Sequence, residues 1–416
     1  MEPQGEDAVA ELGNADTIIV GAGIVGASTA YFLAKRRKRV ILLDEHFPGF
    51  GASGRNGGYI WTHMRAPGVQ MAMALKCRDL YDEFARDLDD FEFRPSGGMT
   101  YFFDHQAQLF AELVAERQDS GLPMQMLTRE EARQMAPILP ETIAGAIFNP
   151  LDAYMNTAKL VQALARGAER HGATIVSGAK VTAIETANGA VRGVKTPHGA
   201  YTADTVVVAA GTWAGALLDP LGVRLPIKPE RMQSVELGKC DIQFGPAIYG
   251  PLAVKLYNCA HTRPSYRDDL VTHPLERANP GVEFLEGISQ RRDGRVLLGW
   301  ACDQPGFDDR TTMAGITMML SIFHDHVPAL RHLPVERTWA CILPTTPDAL
   351  PILGSAPGVK GLVLGAGHSF GNSGGPISGK LLAQLINGET PEMDLAPFRH
   401  DRPSLRPLPA GTPLRY

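Results

Sequence analysis

Three short apolar runs in this 416-residue chain each end in a turn or an acid: Ile18 to Val20 before Gly21, Val40 to Leu43 before Asp44, and Val206 to Val208 before Ala209, Ala210 and Gly211. Runs that are apolar at every position and rich in β-branched residues predict strands buried on both faces. Between the first two lies an amphipathic helix closed by a basic turn. Further helices are predicted from about Val69 to Leu88, with Met71, Leu75, Leu80 and Phe84 as the core-facing stripe, then over 106–120 and 156–171. Thr128 and Glu131 form a capping box at the start of a short helix that Pro137 stops. Strands are predicted within 91–103, over 174–176, 181–185 and 191–195, the last two joined by a turn at Asn188 and Gly189. Shorter β-like runs at 231–237, 252–257, 283–290 and 295–300 imply an antiparallel sheet, and the polar, proline-bearing stretch 258–282 reads as a lid loop. A helix over 312–323, strands at 350–354 and 361–364, and a helix from about Pro376 to Ile386 complete the pattern.

Gly21, Gly23 and Gly26 fit G-x-G-x-x-G between the first strand and its helix. The first glycine permits the turn, the second lets a pyrophosphate approach the backbone, and the third lets the helix lie close on the sheet. The helix N-terminus offers unpaired N–H groups and partial positive charge to a diphosphate. Asp44, with Glu45 beside it, stands 18 positions after Gly26, where a carboxylate accepts hydrogen bonds from a ribose 2′-hydroxyl and disfavours a 2′-phosphate. The glycine-rich segment that follows carries Ser53, Arg55, Asn56, Gly57 and Gly58 and can wrap a ligand with backbone donors.

Composition narrows the class. Apolar residues are 44% and charged residues 20% of the chain, the profile of a globular enzyme. A net charge of -5, with one basic run at Lys35 to Arg39, argues against nucleic acid and anionic membrane as partners. Five unclustered cysteines, at 77, 240, 259, 302 and 341, predict neither a disulfide framework nor a metal site and suit a reducing compartment. With no apolar leader and no run near ~18 apolar residues, a cytoplasmic location is expected.

Four blocks now stand in order: V-G-A-G-I-V-G with L-L-D-E, G-A-S-G-R-N-G-G, V-V-V-A-A-G-T-W-A, and T-P-D-A-L-P-I-L-G followed by G-A-G-H-S-F-G. Together they resemble the D-amino-acid-oxidase superfamily of flavoproteins, nearest its glycine oxidase, sarcosine oxidase and opine or hydroxyproline dehydrogenase branches. The resemblance spans nearly the whole chain. It implies an α/β fold, a Rossmann-like FAD-binding domain with an inserted α+β substrate domain built on an antiparallel sheet. The FAD-binding parts would be 16–90, 151–222 and 336–400, and the substrate domain 91–150 and 223–335, with a disordered leader at 1–15 and a tail at 401–416. The implied reaction is oxidation of a C–N bond by hydride transfer to the flavin.

By the same resemblance, Gly21, Gly23 and Gly26 hold the pyrophosphate, and Asp44 the adenosine ribose. Ser53, Arg55, Asn56, Gly57 and Gly58 line the ribityl and flavin. Val181 meets the adenine, Ala210 and Gly211 pass under the diphosphate, and Gly367, His368, Gly371, Asn372 and Ser373 surround flavin N1 and the C2 carbonyl. Gly375 and Pro376 would begin the helix there. Cys341 matches the cysteine that carries covalent flavin in sarcosine oxidase; the alternative is a buried apolar thiol. Lys255 matches a lysine that assists oxygen reduction; the alternative is a rim lysine in solvent. His368 and Tyr257 are further candidates to line the substrate cavity.

One departure bears on substrate. Where amino-acid oxidases of this family carry an arginine for the substrate carboxylate, this chain has Leu343, which forms no ion pair. A carboxylate partner is then sought at Lys255, Arg263 or Arg267. The expected partners are a small-molecule amine or amino acid and, as electron acceptor, either oxygen or a second protein. A nicotinamide-dependent dehydrogenase and a flavin-bearing scaffold without turnover are the rival functions.

Overall fold

The computed structural model describes residues 10–406, apart from the side chains of Asn258 and Cys259. Two large sheets face a common cleft. The first runs Ile352–Ser355, Leu362–Ala366, Gly199–Val208, Glu11–Val20, Val40–Asp44, Thr174–Ser177, and its central strands are parallel. Val20 sits opposite Val208 on one side and Leu43 on the other, so all three apolar runs end at one edge of the sheet. Ile18, Ile19, Leu42, Leu43 and Val206 to Val208 are fully enclosed, each contributing roughly 1.5–3 kcal/mol of burial.

The helix Ile24–Lys35 is not amphipathic as its sequence suggested: every residue from Ile24 to Ala34 is buried. It lies beneath the sheet between the helices Thr157–Arg170 and Gly371–Ile386, which cover its outer face. Close approach is possible because Gly26 has no side chain; a Cβ there would lie 1.9 Å from the Gly21 carbonyl oxygen.

The second sheet runs Val335–Thr345, Lys228–Lys239, Arg295–Asp303, Glu283–Gln290, Ala247–Tyr249, Gly98–Phe102, Gly145–Asn149, Gln125–Thr128. It is antiparallel except where Ala247–Tyr249 pairs with Gly98–Phe102. Val335–Thr345 pairs along its length with Lys228–Lys239. Residues 336–345, expected with the third FAD-binding part, therefore lie in the sheet of the inserted domain.

Other expectations need correction. Glu11 to Ala15 belong to a strand rather than a disordered leader, paired with Gly199–Val208; residues 1–9 of that leader, and 407–416 of the tail, lie outside the described residues. The run 252–257 lies mostly in a 3-10 turn, Pro251–Leu256, with Tyr257 extended beyond it; apolar at every position but Lys255, it has no alternation to tell a strand from a buried turn. Only Gly98–Phe102 of 91–103 is a named strand. The 258–282 segment is not structureless but carries the short helices Asn258–His261, Asp268–Leu270 and Pro274–Arg277. The last helix starts at Gly371, with Pro376 inside it. Proline lacks the N–H that would bond Asn372 O one turn back. Tyr81 Oη at 2.5 Å and Cys77 Sγ at 3.4 Å supply donors to that carbonyl instead. No helix among the described residues is long and apolar enough to cross a membrane.

Candidate active site

The two sheets enclose a cavity of about 840 Å³, near the upper end of small-molecule sites at roughly 300–1,000 Å³. Gly21, Gly23, Asp44, Glu45, Ser53, Arg55, Asn56, Gly57, Val181, Ala210, Gly211, Cys341, Gly367, His368, Gly371, Asn372 and Ser373 all line it. The first glycine turn and the last thus open onto one cleft. Gly26 and Gly58 stand behind the wall, where a Cβ on Gly58 would meet the Met155 carbonyl at 1.9 Å.

Two helix N-termini open into this cavity. At Gly23 and at Phe370 the N-cap supplies no side-chain hydrogen bond, and neither first turn holds an acid. Both leave backbone N–H groups and positive dipole ends for an anion. A Cβ on Gly51 or Gly211 would meet nothing within 4 Å. Absent side chains, two uncapped N-termini and one long groove fit a dinucleotide with a second negative centre, as FAD has. Asp44 lines the same cavity and is held in place: its Oδ2 accepts from Ala22 N–H at 2.7 Å and its Oδ1 from His46 N–H at 2.8 Å. Ser53 Oγ accepts from Ile24 N–H at 3.0 Å, tying the second glycine segment to the first helix. Glu45 is held by Lys180 at 2.9 Å.

Asn56 works inside the wall. Its Nδ2 donates to Ala52 O and Ser53 O, and its Oδ1 accepts from Gly58 N–H, Thr157 Oγ and Asn372 Nδ2. Arg55 reaches Asp309 at 3.0 Å and Ala340 O at 3.3 Å. Ser373 Oγ donates to Trp61 O at 2.9 Å.

Beyond the glycine loops the cavity becomes an aromatic chamber of Tyr59, Trp61, Tyr249, Tyr257, Trp300 and Phe370. Tyr257 Oη lies 3.0 Å from Tyr249 Oη. Burial pushes the Tyr59 and Tyr249 phenols well above their ordinary range, so both are neutral. His368 is in the wall, with Nε2 2.9 Å from Ser378 Oγ, and burial lowers its pKa to about 3. Its ring is therefore neutral and turned toward the last helix. Cys341 lines the cavity too, and burial raises its thiol to about 12.

Lys255 is not where the sequence expected it. Its Nζ is ion-paired with Glu276 away from the cavity lining, and its carbonyl accepts from His261. A carboxylate in a buried setting claims the nearest cation, and the sequence could not show that Glu276 is that partner. Arg267 is exposed and bonds Asp269, and Arg263 bonds Thr262; neither lines the cavity. The buried cation that does line it, Arg65, was missed. It stands seven residues after Gly58, and a basic residue so soon after that glycine segment was the available signal.

A family model described as FAD dependent oxidoreductase, DAO, matches residues 16–385. The hydrogen cyanide synthase subunit HcnC of Pseudomonas protegens is 27% identical, covering 94% of this chain and 97% of that protein. Glycine oxidase of Geobacillus kaustophilus is 28% identical, over 92% and 96%. A crystal structure of glycine oxidase from Geobacillus kaustophilus superposes with a TM-score of 0.79 at 26% identity, over 94% of this chain and 99% of that one. The chain belongs to the DAO family of FAD-dependent oxidoreductases.

Proposed function

We propose that the chain oxidises the C–N bond of an amino acid or N-substituted amino acid to an imine, which water hydrolyses to a carbonyl compound and an amine. The observation that carries this reading is the aromatic chamber contiguous with the dinucleotide groove. Bound FAD supplies the two-electron acceptor; the two electrons and two protons removed from the substrate pass on to oxygen as peroxide. The chain's own part is to bind, orient and keep dry. Tyr59, Trp61, Tyr249, Tyr257, Trp300 and Phe370 exclude water and pack the substrate's carbon skeleton. With His368 neutral and bonded to Ser378, and the phenols neutral, the chamber suits an amine that enters uncharged and needs no ionised base. The names of the relatives, glycine oxidase among them, support a small amino-acid substrate.

A second reading places this chain as the flavin-bearing subunit of a dehydrogenase that hands electrons to a partner protein. Burial of Lys255 against Glu276 favours it, since the cation expected to help oxygen accept electrons is taken. HcnC is itself a subunit by name. The deciding experiment is anaerobic bleaching of the flavin absorbance with a panel of secondary amines, opines and D- and L-amino acids, followed by admission of air. Bleaching with rapid recovery and peroxide supports the oxidase; bleaching without recovery supports the dehydrogenase. Failure of the whole panel to bleach the flavin would sink both.

A further inference from the structure

We infer that Trp213 and Phe307 form a clasp across the mouth of the dinucleotide groove, and that this clasp must part for FAD to enter or leave; the inference rests on the groove being the FAD site. The two rings come from opposite walls. Trp213 ends the 3-10 turn Gly211–Trp213, which follows the strand Gly199–Val208 of the first sheet. Phe307 stands in the loop between Arg295–Asp303 of the second sheet and the helix Met313–His326. Their ring centroids lie 6.1 Å apart at an interplanar angle of 38°, within the roughly 4.5–7 Å of favourable aromatic pairs. Both residues line the cavity, yet Trp213 is 51% and Phe307 58% exposed. Residues that border a cavity and are also half open to solvent stand at its opening.

A second tie crosses beside the first. Arg55, in the glycine segment after Asp44, pairs with Asp309 at 3.0 Å, and both residues line the cavity. Asp309 is two residues beyond Phe307, so one loop carries an aromatic and an ionic contact to the opposite wall. Neither tie is strong: the Asp309 side chain is 55% exposed, which screens the ion pair, and the two rings keep much of their surface in water.

The loop is pinned at both roots and free at its tip. Buried Arg231 holds the two ends together, its Nε donating to Asp303 Oδ1 at 2.7 Å and its Nη1 to Arg310 O at 2.8 Å. Between them Gly306, at φ +76°, turns the chain just before Phe307. No residue from 304 to 309 is buried. Swinging this tip outward therefore breaks the ring contact and one solvated ion pair while the packed strand and helix on either side stay in place.

The test measures FAD exchange. Release from the loaded protein is followed by the flavin fluorescence regained on dilution, and uptake by its quenching on mixing with apoprotein. F307A and W213A should each speed both release and uptake by about tenfold, as for the loss of one aromatic pair at the rim. The double variant should add no more than about twofold, because either truncation parts the same contact. F307Y keeps a ring and should stay within about twofold of wild type. Apoprotein urea midpoints should not move, since both rings stand largely in solvent. If W213A is unstable, F307A and F307Y carry the decision by their uptake rates. An ordinary contact with the cofactor would speed release and leave uptake unchanged; that result, multiplicative effects in the double variant, or a wild type that takes up no FAD overturns the clasp. These rates need no substrate, so a flavin that no amine bleaches sinks the proposed reaction alone, and unchanged exchange rates sink the clasp alone.

Discussion

Asn372 Nδ2 donates to Asn56 Oδ1 at 3.1 Å, joining two glycine loops that are 316 residues apart in sequence. The same Nδ2 donates to Tyr59 O at 3.0 Å, and Thr157 Oγ bridges to both asparagines at 2.9 and 3.3 Å. Together the two amides set the spacing between two walls of the cavity. Asn372→Ala leaves the Tyr59 carbonyl without this donor inside the wall, at a cost of about 1–3 kcal/mol. The expected result is a lower unfolding midpoint in the apoprotein and faster loss of FAD on dilution, read by flavin fluorescence.

Tyr81→Phe tests the internal proline. With Pro376 unable to donate, the Asn372 carbonyl relies on Tyr81 Oη and Cys77 Sγ. Removing the hydroxyl leaves only the weak thiol donor, so a loss of roughly 1–2 kcal/mol is expected in urea unfolding. A fully stable Tyr81→Phe protein would show that this carbonyl is satisfied another way.

Two alanine substitutions in the glycine segments should behave oppositely. At Gly26 the new Cβ lies 1.9 Å from the Gly21 carbonyl, a backbone atom that has nowhere to go, so the strand and helix must part and the apoprotein itself should be destabilised. At Gly51 the Cβ meets nothing within 4 Å and projects from a residue that lines the cavity. The Gly51→Ala apoprotein should therefore unfold like wild type while binding FAD more weakly, a separation that thermal melts with and without added FAD would reveal.

Cys341 bears on how the flavin is held. Burial raises the thiol to about 12, so the nucleophilic thiolate is scarce at neutral pH. Acid precipitation should leave the flavin in the supernatant, and Cys341→Ser should keep the visible spectrum. A yellow pellet would demonstrate attachment and overturn this expectation.

His368 gives a pH dependence whose sign is fixed. Its folded pKa, about 3, lies below the unfolded value near 6.5, because burial penalises the charged ring. The unfolded chain then binds the extra proton, so the contribution is fully present above about pH 6.5 and is lost as the pH falls toward 3. His368→Asn should flatten the decline of urea stability between neutral pH and mild acid, relative to wild type. An identical slope in the two proteins would place the acid sensitivity elsewhere.

What the sequence by itself determined was local. Three apolar runs, the spacing of Gly21, Gly23 and Gly26, the acid at Asp44 and the capping box at Thr128 each depend on neighbours within a few turns, and each stands in the structure as read. The tertiary structure decided what depends on distant partners. It turned 251–256 out of the sheet, gave Lys255 to Glu276, put Val335–Thr345 beside Lys228–Lys239, and laid Phe370 on Arg65. Backbone sterics and dipoles act over a few residues and leave a mark in sequence spacing. Desolvation and charge pairing depend on which remote segment arrives, and a cation is written identically whether it meets a buried carboxylate or an open cavity.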